Sequence, residues 1–163
     1  MQPEMRTARI APAQSSWEYA AGRELFEEYA AQLGVDLCFQ GFSSELTVLD
    51  SMYGAPAGCL LLAWHENAAA GCVGVRRLSG LDCEMKRLYV RARARGLGYG
   101  RQLALEIIAR ARALGYERML LDTLASMAEA RRLYASLGFV DCPPYYHNPL
   151  PGVRYMELKL RQR

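Results

Sequence analysis

One short stretch restricts this chain more than any other: Arg95-Gly96-Leu97-Gly98-Tyr99-Gly100-Arg101. Before it, Glu84 to Val90 reads as a strand; after it, Leu103, Ile107, Ala111 and Leu114 recur at helical spacing, with Gly115 as a stop signal. A glycine-rich turn that opens a helix presents unpaired backbone N–H groups and the positive end of the helix dipole, which together suit a phosphate. Gly96, Gly98 and Gly100 carry no Cβ, so a diphosphate can approach the backbone closely. Arg95 and Arg101 add charge-assisted hydrogen bonds. The same pattern also serves a turn that merely starts a helix.

The surrounding chain alternates in type. A short strand is expected near Ala8 to Ala11, followed by a helix that opens on the Ser15-x-x-Glu18 capping box, continues to Leu33 and stops at Gly34. A second helical stretch covers Ser44 to Asp50. Gly58 to His65 is a continuous apolar run, Glu66-Asn67 a turn and Gly71 to Leu78 its antiparallel partner, with Glu84 to Val90 completing a meander. After the amphipathic helix come a strand over Arg118 to Asp122 and a helix that a second capping box, Ser126 with Glu129, opens and Gly138 ends. Phe139 to Cys142 and Val153 to Leu160 read as closing strands around a loop with four prolines, Pro143 to Pro151. The order β-α-α-β-β-β-α-β-α-β-β predicts a mixed α/β (α+β) fold. The 163 residues fit one domain spanning 1–163.

Charge and cysteine use narrow the class. Eight basic residues stand against two acids between Glu84 and Arg112, while the whole chain carries only +3. Such a segment draws anions. Its arginines are interleaved with glycine and alanine and match no nucleic-acid-binding module, so no nucleic-acid partner is expected. No apolar run approaches the ~18 residues of a membrane span, so no membrane partner is expected. Met1 to Ala13 has no apolar core of signal-peptide length. The five cysteines form no Cys-x-x-Cys pair and have only His65 and His147 beside them, too few for a zinc site. Reduced, buried thiols in the cytoplasm and no metal are the expectation.

Three anionic ligands compete for the glycine turn. A P-loop needs Gly-Lys-Ser/Thr, whereas Gly100 is followed by Arg101-Gln102. A Rossmann site has in its favour Asp122, an acid at the end of the next strand. Against it, Arg101 stands where the third glycine belongs, and too little chain follows Asp122 for the usual second half. Coenzyme A is the third, its pyrophosphate on the turn and its pantetheine arm along the preceding strand.

Arg95-Gly96-Leu97-Gly98-Tyr99-Gly100 resembles the Gln/Arg-x-x-Gly-x-Gly/Ala acetyl-CoA signature of the GNAT superfamily of N-acetyltransferases. Downstream, Ala130-Arg-Arg-Leu-Tyr134-Ala-Ser-Leu-Gly138-Phe139 is similar to that family's Ala-x-x-Leu-Tyr-x-x-x-Gly-Phe segment. The resemblance is close from Glu84 to Phe139 and implies a central twisted mixed sheet of about six or seven strands flanked by about four helices. It implies acetyl transfer from acetyl-CoA to an amine, by direct attack in a ternary complex. Leu88, Tyr89 and Val90 would line the pantetheine and supply the amide that polarises the thioester carbonyl. Arg95, Gly96, Leu97, Gly98, Tyr99, Gly100 and Arg101 would hold the pyrophosphate, with Ser126 and Arg131 as further cofactor contacts. Glu84 matches a glutamate used as general base, and Tyr134 a tyrosine that protonates the departing thiolate. One departure stands out: Met127 occupies the place of a common asparagine, whose hydrogen bond to the pantetheine methionine cannot make.

The acceptor is expected to be a small amine or amino-acid-like molecule, in a groove lined by Trp17, Glu24, Phe42, Tyr145, Tyr146 and His147. Glu84 and Tyr134 also have structural readings, as a surface ion-pair partner of Lys86 or Arg87 and as a core side chain. A non-catalytic acyl-CoA sensor and the Rossmann-like binder are the alternatives to an enzyme. The family resemblance makes a homodimer a common arrangement.

Overall fold

The apolar run through His65 is explained by cover on both faces of one strand. The structure, a computed structural model, describes residues 9–161; Ala8 of the expected first strand lies outside them. In chain order the elements are β1 (Arg9–Pro12), α1 (Ser16–Leu33), α2 (Phe42–Thr47), α3 (Leu49–Met52), β2 (Cys59–His65), β3 (Ala68–Ser79), β4 (Asp82–Val90), α4 (Tyr99–Ala113), β5 (Arg118–Leu124), α5 (Ala128–Ser136), β6 (Val140–Asp141) and β7 (Val153–Lys159). Leu60 and Leu62 of β2 pack with Leu25 and Phe26 of α1 and with Tyr53. Leu61 and Ala63 pack with Leu103, Ile107 and Ala111 of α4. A strand covered on both sides has no polar face to show, so alternation disappears.

The seven strands form one sheet in the order β1-β2-β3-β4-β5-β7-β6, antiparallel throughout except for the parallel pair β4–β5. That pair is short. Asp82, Cys83 and Glu84 face Arg118, Met119 and Leu120, and beyond them the strands part. A register shift against β3 falls at the same place, between Lys86 and Tyr89 of β4. Arg87 there takes φ 60°, a left-handed conformation that a long side chain adopts at a cost of roughly 1 kcal/mol or more. The bulge and the parting turn the middle of β4 away from ordinary pairing and towards a ligand.

Local signals account for most of the helices. Ser15 caps α1, its hydroxyl accepting from the Glu18 N–H while the Glu18 carboxylate accepts from the Ser15 N–H. The expected cap at Ser126 does not form. Strand β5 runs on to Leu124, and Ala125 and Ser126 are used up in a turn closed by Met127 N–H donating to the Leu124 carbonyl at 2.9 Å. Helix α5 therefore starts at Ala128 with Met127 at its cap position and no side-chain cap. The stretch expected over Ser44 to Asp50 splits into α2 and α3, and the closing strand expected over Phe139 to Cys142 shrinks to Val140–Asp141.

Candidate active site

Where β4 and β5 part, a narrow cavity of about 40 Å³ opens between them. Met85 to Leu88 of β4 and Leu121 to Leu124 of β5 form its walls, with Tyr29, Leu33, Gln40, Met127, Tyr134 and Asn148 around them. A larger groove of about 780 Å³ runs from there along β4 to the first turn of α4. Tyr29, Leu33, Leu88 and Met127 line both, so the two spaces meet at these residues.

The groove collects most of the expected cofactor residues: Leu88, Tyr89, Val90, Arg95, Gly96, Gly98, Tyr99, Gly100 and Ser126 all line it. Gly96 and Gly98 adopt φ 80° and 85°, and Gly98 caps α4 without any side-chain bond to its first N–H groups. Those donors are left facing outward at the positive end of a 15-residue helix. Three expected contacts are not on the groove wall. Leu97 is exposed; Arg101 donates to Ser136 Oγ at 3.1 Å; Arg131 donates to the Ala125 carbonyl at 2.7 Å. The Tyr99 ring is buried, its hydroxyl 2.7 Å from His65 Nδ1, so only the rest of the residue borders the groove. Arg95 is held by the Val90 carbonyl and the Gln32 side chain.

In the cavity Tyr134 comes off α5 and is buried, packing against Phe139. Burial raises its pKa above the ordinary tyrosine value, with Tyr29 and Asp122 adding to the shift. The hydroxyl therefore stays protonated and able to donate. Glu84 is placed differently from the expectation. It does not border the cavity: one carboxylate oxygen accepts from Arg76 Nη2 at 2.8 Å and Nε at 3.0 Å, and the other accepts from the Tyr145 hydroxyl at 2.5 Å. Its close ion-pair partner is Arg76 of β3, not Arg87; the expected Lys86 of its own strand stands farther off at 3.9 Å, and Glu84 lies in the interior rather than on the sheet surface.

Asp122 is the carboxylate that does line the cavity. Its Oδ2 accepts from the Tyr146 hydroxyl, from Asn148 Nδ2 at 2.8 Å and from Gln40 Nε2 at 3.3 Å. Lys86 lines it too, nearly fully enclosed, and burial lowers its pKa against the opposing pull of Glu84. Sequence reasoning passed over Lys86 and Gln40 and weighed Asp122 only as a ribose ligand. The signal for Lys86 was there: a charge two residues from Glu84 in a strand places both on one face.

The expected acceptor wall is only partly realised. Tyr145 and Tyr146 reach the site through Glu84 and Asp122, and Phe42 lies under the Arg87 guanidinium, 5.1 Å from ring centroid to carbon. Trp17 stacks on Trp64, Glu24 sits 3.7 Å from Arg91, and His147 borders a separate surface hollow. None of these three lines the cavity. The cysteines are all unpaired, Cys72 and Cys83 buried as expected but Cys38 exposed. Among the described residues no cluster of ligands suits a metal ion, and no helix is long and apolar enough to cross a membrane.

A mixed sheet parted at its single parallel pair, with a glycine-capped helix at the parting, defines the fold of the acyl-CoA N-acyltransferases. The acetyltransferase (GNAT) family pattern matches residues 19–139, and the chain belongs to that family. An uncharacterised N-acetyltransferase of Schizosaccharomyces pombe is 48% identical over 138 residues, 83% of this chain and 85% of its own length. Among solved structures, an acetyltransferase of Streptococcus agalactiae superposes with a TM-score of 0.78 at 18% identity, covering 94% of this chain and 99% of that one. The yncA protein of Salmonella typhimurium, solved with its cofactor acetyl-CoA, gives 0.66 at 21% identity, with 96% of each chain covered.

Proposed function

We propose that the protein transfers the acetyl group of acetyl-CoA directly to the amine of a small acceptor. What carries this reading is the junction of the two spaces: a groove shaped for a pyrophosphate and a pantetheine arm opens, at Leu88 and Met127, onto a cavity holding Tyr134, Asp122 and Lys86. The groove residues suit coenzyme A: free helix N–H groups face its pyrophosphate end, and β4 beyond Glu84 has backbone groups without β5 partners. Bound there, acetyl-CoA supplies the acetyl thioester.

The chain's own residues divide the remaining work. An amide of β4 near Leu88 to Val90 donates to the thioester oxygen as charge develops on it. Asp122 takes a proton from the acceptor's ammonium, directly or through water, and so frees the nitrogen lone pair. Carbon–nitrogen bond formation then breaks the carbon–sulfur bond, the Tyr134 hydroxyl donates to the departing thiolate, and the second proton shed by the acylated nitrogen passes through water to restore the phenol. The cavity geometry favours Asp122 over Glu84 as base. Glu84 acts at one remove, holding Tyr145 and Arg76 in place. The free thiols suit a reducing compartment, and on that ground we assign the reaction to the cytoplasm.

Calorimetric titration with acetyl-CoA, with NAD(H) as control, tests the binding half of this reading, and thiol release across a panel of amines tests the reaction. Micromolar binding of acetyl-CoA with amine-dependent thiol release is the expected result. Binding without release for any amine favours the sensor; binding of NAD(H) alone overturns both. Gly98→Asp places a carboxylate in the pyrophosphate cradle and a side chain at φ 85°, and is expected to weaken acetyl-CoA at least about tenfold.

A further inference from the structure

The charges around the cavity pair off until two are left. Arg76 is matched by Glu84 at 2.8 Å and Arg87 by Glu45 at 3.1 Å, the second pair buried on both sides and the first on the Glu84 side. Lys86 and Asp122 remain, one cation and one anion lining the same small space. Among the described residues neither has a counter-ion within hydrogen-bond reach. The nearest carboxylate oxygen to Lys86 Nζ is that of Glu84 at 3.9 Å, already held by Arg76, and the only hydrogen bond from Nζ is a long one, 3.4 Å, to Gln40 Oε1. All three hydrogen bonds to Asp122 fall on Oδ2, which leaves Oδ1 open.

A third group is short of a partner. Arg87 Nη2 is buried with no hydrogen bond, although Nε donates to Glu45 and Nη1 to Gln40. An unpaired N–H of a charged group at a site only 5% exposed costs more than a kilocalorie-scale hydrogen bond is worth, so such donors are normally satisfied. Lys86 and Arg87, adjacent in β4, both border a cavity whose opposite strand holds an unused carboxylate oxygen, although Arg87 Nη2 itself is sealed from solvent. The Gln40 carboxamide already spans the two poles: its Nε2 donates to Asp122 and its Oε1 accepts from Lys86 and Arg87.

We infer that the acceptor is a zwitterion, a free amino acid or close analogue, whose ammonium is held by Asp122 and whose carboxylate is held by Lys86, with the positive charge of Arg87 beside it. The inference rests on the acetyl-transfer reading above and adds the acceptor's class to it. A neutral pair of opposite charges on the wall disfavours a plain amine, which would leave Lys86 uncompensated, and a plain carboxylate, which would leave Asp122 so. At about 40 Å³ the cavity has room for roughly three water-sized groups, enough for an amino-acid head with its side chain pointing out of the mouth. The ammonium loses one proton to Asp122, its nitrogen forms the amide bond and sheds a second proton that replaces the one Tyr134 gives to the thiolate, while the carboxylate is unchanged and serves as the handle.

Matched acceptors test this without any mutation. Each standard amino acid is assayed for thiol release beside its carboxamide and its decarboxylated amine, on enzyme whose acetyl-CoA binding has been confirmed by titration. The carboxylated member of at least one set should exceed both others in kcat/KM by ten- to a hundred-fold, the range of a charge-assisted hydrogen bond. Lys86→Gln should shrink that ratio towards one, raising KM for the amino acid and leaving the KM for acetyl-CoA unchanged. Equal efficiency within every set overturns the inference and leaves acetyl transfer standing, as does turnover confined to amines without a carboxylate. Acetyl-CoA that binds while no amino acid is acetylated overturns it as well. Loss of acetyl-CoA binding in the wild type instead refutes the reading beneath it.

Discussion

Tyr134 shows how a motif and an environment reinforce each other. Its place beside Phe139 was legible because the Ala130-to-Phe139 segment has a fixed spacing, and burial then explains why its hydroxyl keeps its proton. Tyr134→Phe is expected to lower kcat by ~10²-fold or more while acetyl-CoA affinity, read by titration, stays within a factor of about two. Carboxylates were harder to assign. From sequence, Glu84 and Asp122 are both acids in strands, and only the cross-strand partner separates them: Arg76 stands opposite Glu84 in the β3–β4 register, a neighbour that no spacing along one strand discloses. Asp122→Asn should therefore reduce turnover more than Glu84→Gln does, whereas Glu84→Gln should lower the melting temperature more. Glu45→Gln leaves Arg87 buried beside a neutral group, and a loss of about 3–5 kcal/mol in urea-unfolding free energy is expected.

At the level of elements, the sequence located all seven strands and the three longest helices, with β6 shorter than expected. Failures came where a short-range signal met a competing one. Ser15-x-x-Glu18 and Ser126-x-x-Glu129 have the same spelling, yet only the first follows free chain; the second follows a strand whose pairing with β7 extends to Leu124 and leaves Ser126 inside a turn. Helices α2 and α3 were blurred into one for a similar reason, since Val48 at their junction breaks the backbone at φ −131° with no sequence mark to announce it. Gly74 in β3 was not singled out, and the structure explains its identity: a Cβ there would lie 2.6 Å from the Tyr53 ring, which packs flat on the strand. Gly74→Ala should displace that ring and its hydrogen bond to Glu45, costing about 1–3 kcal/mol in chemical denaturation.

Across the whole molecule, phenols set the alkaline limit. Burial raises the pKa of Tyr29, Tyr53, Tyr134, Tyr145 and Tyr146, so above pH ~10 the unfolded chain ionises first and binds fewer protons than the folded one. Unfolding free energy must then fall as pH rises. Each of the two enclosed phenols, Tyr53 and Tyr134, contributes a slope of up to about 1.4 kcal/mol per pH unit. Lys86 runs the other way: its pKa is lowered when folded, so between that value and its ordinary 10.5 stability rises with pH. A denaturation series spanning pH 9 to 11 should show the decline, with phenolate absorbance appearing together with loss of helix signal rather than before it. The fold as a whole was legible because two motifs and an element order agreed; the proposed acceptor site was not, because residues 40, 86, 87 and 122 are far apart in sequence and only the folded sheet brings them together.

The brevity of the β4–β5 contact has a mechanical side. Three residue pairs are all that join the block β1–β4 to the block β5–β7–β6 within the sheet; beyond them the blocks meet through a shared core in which Leu103 and Ile107 of α4 join Met119 and Leu121 of β5. A small rotation about that seam would change the width of the wedge that the proposed reaction assigns to the acyl group, without moving any residue relative to its own block. On the proposed reaction, tolerance for longer acyl chains would then follow from stiffness rather than from pocket-lining side chains. A covalent staple across the strands just beyond Glu84 and Leu120 is then expected to restrict the protein to the shortest donors.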